Sequence, residues 1–124
     1  WQVHPPLTAN DSGFAQLEVL QAEVVDGVPV LLWCVGFNEL CEEFKERFGA
    51  GGVFSAVGAS VEGPFAIREA TRFPHESLYA ARLVQQDDSW FLIGFRNYET
   101  SGFVGELCDP IPVTATADGG LQLR

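Results

Sequence analysis

Methionine is absent from the 124 residues, lysine occurs once (Lys45), histidine twice and cysteine three times. Each scarcity removes a class of explanation. Seven basic residues against seventeen acidic ones leave a net charge of −10, whereas a nucleic-acid binder needs lysine and arginine to replace phosphate counterions. The same balance is repelled by anionic membrane surfaces. No apolar run approaches the ~18 residues that span a bilayer. With two histidines and no CxxC pair the ligand spacing of a zinc site is missing, and neither a metal nor a cofactor is expected. There is no GxxxxGK[ST] phosphate loop, no GxGxxG turn, no HExxH helix and no GxSxG elbow. Gly49-Ala50-Gly51-Gly52 is rich in glycine, but it follows a helical segment and so reads as a hinge or cap.

The odd cysteine count leaves at least one thiol free unless two chains cross-link. Cys34 lies inside an apolar run and Cys41 on an apolar helix face. Both read as buried thiols, which suits a reducing compartment and a cytoplasmic location. A Cys34–Cys41 or Cys34–Cys108 bridge is the alternative. The first residue is Trp1 and not methionine, as in a mature or excised chain, and this keeps a secreted origin open.

What is present points to a folded domain. Apolar residues make up 47% of the chain and charged ones 19%, enough apolar surface to offset the entropy of ordering. At roughly 150 residues per domain the length allows one. Residues 1–13, with Pro5-Pro6 and the turn-forming Asn10 to Gly13, read as an extended arm, and residues 14–124 as a single domain. Asp26-Gly27 between two apolar stretches predicts a hairpin of strands at about Glu18–Val25 and Val28–Val35. The second strand is apolar on both faces and should be the most buried in the molecule. Leu40, Cys41, Phe44 and Phe48 form one stripe of a helix at about 38–48, with Asn38 as N-cap and Gly49 just past the end. Further strands are read near 53–61, 65–69, 76–84, 90–95 and 102–108, with a terminal hairpin around Asp118-Gly119-Gly120. Residues 14–25 and 76–84 also have a helical reading. The expected fold is α+β: a curved, mostly antiparallel sheet, open or barrel-like, packed on one amphipathic helix.

Three groups of residues are candidates for function. Arg72, His75 and Glu76 place a guanidinium, the one body imidazole and a carboxylate around a turn, the ingredients of acid–base chemistry on an anionic substrate. If Phe91 is core, Trp90 faces outward, and Arg82 or Arg96 would stand at the mouth of an aromatic ligand pocket. Glu39, Glu42, Glu43 and Glu46 on one helix flank, with Asp87-Asp88, form a candidate acidic docking patch. Two functions follow. One is an acidic binding module of inhibitor or accessory type that docks a basic protein or peptide. The other is a small cofactor-independent enzyme acting on a small molecule. A homodimer is compatible with both, because aromatic strand faces in so short a chain need cover.

Overall fold

The structure is a computed structural model and describes residue 1 and residues 3–124. The hairpin read from Asp26-Gly27 forms as expected: β1 (Glu18–Val25) and β2 (Val28–Val35) pair through a turn whose two residues have φ of 50° and 84°. This double positive φ belongs to the tight turn whose twist matches that of the flanking strands. β2 also pairs with β3 (Gly52–Val57), and a two-residue strand β4 (Thr71–Arg72) completes a four-stranded antiparallel sheet in the order β1-β2-β3-β4. The second half of the chain supplies β5 (Leu78–Gln86), β6 (Ser89–Glu99), β7 (Gly102–Leu107), β8 (Ile111–Thr116) and β9 (Gly120–Leu123). These form a second antiparallel sheet, β5-β6-β8-β9, with β7 added to β6. Neither sheet closes into a barrel. Strand accounts for 52% of the chain and helix for 11%, so the α+β fold is dominated by its sheets.

β2 holds the layers together. Val30, Leu32 and Cys34 point into the core between the two sheets, where they meet Leu78, Leu83, Trp90, Leu92 and Val113. Leu31, Trp33 and Val35 point the other way, into a second core with Phe14, Leu40, Phe44, Phe54 and Ile67. The period of two along a strand gives each set its own face. Phe14 sits at the centre of the second core, its ring 5.1 Å from Trp33, 4.9 Å from Phe44 and 5.3 Å from Phe54.

The helix is shorter than its apolar stripe suggested. A 3-10 turn spans Phe37–Glu39, Leu40 is extended, and α1 runs only over Glu42–Phe48, with Cys41 and not Asn38 as its N-cap. Backbone pairing explains the difference. Ala15 N–H donates to Glu39 O at 2.8 Å and Cys41 N–H donates to Gly13 O at 2.9 Å, so the chain around Phe14 holds Leu40 and Cys41 extended. Gly49 ends α1 with φ of 68°, as expected. The strand read at 65–69 is instead a bridge at Phe65 followed by a 3-10 turn, Ile67–Glu69, which buries Ile67. Phe37, at the start of the 3-10 turn, is 43% exposed.

Side chains join the sheets at both edges. At the β1–β5 seam, Gln21 Nε2 donates to Leu83 O at 2.9 Å and Gln21 Oε1 accepts from Leu83 N–H at 2.8 Å. Arg82 Nη1 donates to the carbonyls of Val19 and Leu20 at 2.9 and 3.0 Å, and Tyr79 Oη donates to Glu18 at 2.8 Å. Both strands bulge there, with Val19 at φ 49° and Ala80 at φ 48°. For non-glycine residues such a conformation costs about 1–3 kcal/mol each, so the seam must hold it. Burial and the Glu18 contact push the Tyr79 phenol well above its ordinary range. At the other edge a relay runs from Leu121 N–H to Ser55 Oγ (3.1 Å), to Thr71 Oγ1 (3.3 Å), to Gly119 O (3.3 Å).

Replacing Gln21 by alanine removes both bonds to Leu83. A loss of about 1–2 kcal/mol is expected in urea unfolding, with faster hydrogen exchange at Leu83 than at Leu92. An unchanged Leu83 amide would show that the seam is held elsewhere.

Candidate functional site: the β6–β7 hairpin and its flanking clefts

β6 changes partner along its length. Trp90–Leu92 pair with β8, and Phe95–Glu99 pair with β7. β7 and β8 are two parts of one line, interrupted at Cys108–Pro110, where Cys108 N–H donates to Gly94 O at 2.9 Å. β5 begins opposite Arg96, which also pairs with Glu106, so the hairpin of β6 with β7 runs past the start of β5 at Asn97–Glu99 and Gly102–Gly105. Its apolar residues are left uncovered: Tyr98 is 65%, Phe103 63% and Leu107 73% exposed. They form one ridge. The Phe103 ring lies 5.6 Å from Tyr98 and 6.0 Å from Phe95, and Leu107 stands opposite Phe95 in register. The Phe103 ring leans back over Gly105, which has φ of 75° and where a Cβ would come within 2.6 Å of that ring. Only glycine suits both the conformation and the space.

The other face of the hairpin is charged. Arg96 stands opposite Glu106 and bonds to it, and it also bonds to Glu99, Nε to Oε1 at 3.1 Å. The hydrogen bonds from Arg96 hold the Glu99 carboxyl below the usual carboxylate range, with Ser77 and His75 adding to the effect. An open cleft of about 480 Å³ is lined by His75, Arg96, Glu99, Glu106, Cys108 and Asp109. A second, of about 400 Å³, adjoins it and takes in His75, Glu76, Ser77 and Glu99. His75 Nδ1 is buried without a hydrogen-bond partner.

The structure brings together only part of each predicted group. His75 and Glu76 share the second cleft, but Arg72 is turned away, its Nε donating to Gly51 O at 2.7 Å. Trp90 is no ligand-facing ring. It is 8% exposed and sits in the core between the sheets, whereas Phe91 is the half-exposed neighbour. β6 is apolar on both faces, so alternation alone left its phase open. Arg82 belongs to the β1–β5 seam and Arg96 to the hairpin cleft, so the two do not flank one pocket.

The acidic patch also separates. Glu42 pairs with Lys45 at 2.6 Å, Glu43 pairs with Arg68, Glu39 is half-buried in the 3-10 turn, and Glu46 is exposed. Asp87 and Asp88 form the β5–β6 turn in the second sheet, while α1 covers the far face of the first. The three cysteines are free thiols, and burial raises the Cys34 thiol above its ordinary range. Sequence reasoning missed Tyr98, Glu99, Phe103, Glu106, Leu107 and Asp109. The available signal was the short strand read at 102–108, with Phe103 and Leu107 in it, just before Pro110.

No protein-family model matches the chain, and comparison with curated proteins and with solved structures gave no match. Among the described residues no helix is long and apolar enough to cross a membrane.

The Arg96–Glu99 link has a titration signature. A carboxyl lowered in the folded state contributes stability above its unfolded pKa and loses it as pH falls through the folded value. In Arg96→Gln the Glu99 side-chain carbon should titrate at higher pH than in the parent, by NMR. Coincident curves would show that Arg96 does not set the Glu99 ionisation.

Proposed function

We propose that the chain is an acidic binding module that docks a basic protein or peptide on the β6–β7 hairpin. The observation that carries this reading is the ridge of Tyr98, Phe103 and Leu107, exposed beside a cluster of carboxylates. Apolar groups gathered in one exposed patch with a polar rim are characteristic of interaction sites. Glu76, Glu99, Glu106 and Asp109 line the two clefts beside it against one guanidinium, Arg96. The net charge of −10 attracts a basic partner over the range of a Debye length and speeds its encounter. This surface replaces the flank of α1, whose acids are partly neutralised by Lys45 and Arg68. Docking is favoured over acid–base chemistry because the arginine that would anchor a substrate beside His75 is bonded to Gly51.

The test uses labelled lysine–valine peptides of one composition in several residue orders, with glutamate–valine peptides as controls, read by fluorescence anisotropy. At least one lysine–valine order should bind and the controls should not. Affinity should fall as ionic strength rises from about 0.05 to about 0.3 M, and the Phe103→Ser/Leu107→Ser variant should bind about tenfold more weakly or worse. Absence of binding by every basic peptide, or binding unaffected by the double variant, contradicts the reading.

A further inference from the structure

Two features of the chain have no part in the docking ridge: the exposed ring of Phe37 and the glycine run at 49–52. They meet at one place. Phe37 begins the 3-10 turn that follows β2, and the glycine run leads from α1 into β3 beside it. The approach is close. A Cβ on Gly51 would lie 2.6 Å from Phe37 N and from Val35 O, so a side chain there would push the two segments apart. The start of β5 and the end of β6 bring Tyr79 and Tyr98 to the same place. An open cleft of about 370 Å³ results, whose lining includes Phe37, Gly51, Gly52, Glu76, Tyr79 and Tyr98. Phe37 is 43% and Tyr98 65% exposed. The Tyr98 ring is braced edge-on by Phe103 at 5.6 Å, and the Tyr79 hydroxyl is held by Glu18 at 2.8 Å. Among the described residues Glu76 is the one charged residue in the lining, and no lysine, arginine or histidine belongs to it. Arg72 donates to Gly51 O from outside that lining.

We infer that this cleft holds a trimethylated lysine side chain of the basic partner. The inference rests on the docking reading above and names the group that the partner inserts. The face of an aromatic ring carries negative potential and attracts a cation laid over it. Aromatic side chains with a carboxylate and no basic group are the lining that recognises a quaternary ammonium. An unmodified ammonium is a compact, strongly hydrated charge with three donors, and one carboxylate does not replace its water. Trimethylation keeps the charge, removes all three donors and surrounds the nitrogen with methyl groups that pack against rings. Glu76 supplies the opposite charge. Tyr98 belongs both to the ridge and to the cleft, so a peptide seated on Phe103 has the cleft beside it.

The experiment compares three forms of the lysine–valine peptides: unmodified, with one trimethyl-lysine placed at successive positions, and with the neutral tert-butyl analogue of trimethyl-lysine at the same positions. At one position the trimethyl-lysine form should bind about tenfold more tightly than either of the others, and its N-methyl proton resonance should move upfield on binding. Phe37→Ala should abolish this margin without changing the affinity of the unmodified peptide, and Phe37→Tyr should retain it. Phe37 lies outside the ridge, so these variants separate the cleft from the docking surface. Equal binding by all three forms overturns the ammonium site and leaves the docking reading standing. Binding by none overturns both. A neutral analogue that binds as tightly as trimethyl-lysine, or a margin that survives Phe37→Ala, overturns the proposal. Free tetramethylammonium that binds as tightly as the modified peptide gives the cleft to a small ion and overturns the assignment to a partner side chain.

Discussion

The fold depends on one strand being apolar on both sides. Val28–Val35 has β1 and β3 as hydrogen-bonded neighbours, so its backbone is satisfied within the sheet, and its alternating side chains enter two different cores. Leu31, Leu32, Trp33 and Val35 are essentially without solvent exposure. Burying side chains of this size contributes about 1.5–3 kcal/mol each. A strand that must be covered on both faces requires a layer on each. The second sheet supplies one, and the Phe14–Phe44–Phe54 cluster with α1 supplies the other.

This layering leaves the molecule with a definite asymmetry. The outer face of the first sheet is closed by aromatics, and the edges are joined by Gln21, Arg82, Ser55 and Thr71. Among the described residues, no layer lies outside the second sheet. β6 is the longest strand, eleven residues, and extends past the start of β5, so the hairpin it makes with β7 projects from the body. The same extension exposes Tyr98 and Phe103 and carries Arg96 and Glu106 into an open cleft. A docking surface at this position leaves the core undisturbed, because neither Phe103 nor Leu107 belongs to either buried cluster.

The local signals that were legible in the sequence are those with a short-range cause. Asp26-Gly27 specifies a two-residue turn, and β1 and β2 have the bounds read from it. Gly49 ends α1 for the same kind of reason. The strand reading of residues 76–84 agrees with β5, which the helical spacing of the same residues did not exclude. The failures share a different cause, namely that a distant segment decided the outcome. Pairing with residues 13–15 removed the first turn of the expected helix. The phase of β6 was set by the sheet facing it, which placed Trp90 inside and released Arg82 and Arg96 to separate tasks. The candidate site was the least legible part. Exposure of Phe103 and Leu107 follows from what the chain fails to place beside them, and that is a property of topology.

The central claim, that β2 is the strand on which both cores depend, is tested most directly by native-state hydrogen exchange across a range of low denaturant concentrations. The amides of Leu31, Leu32 and Trp33 should exchange only through global unfolding, with the full denaturant dependence of the equilibrium transition and protection in both halves of the chain lost together. Exchange of these amides through a smaller opening, while β6 and β8 remain protected, would contradict it, since the second sheet would then stand without the strand said to support it.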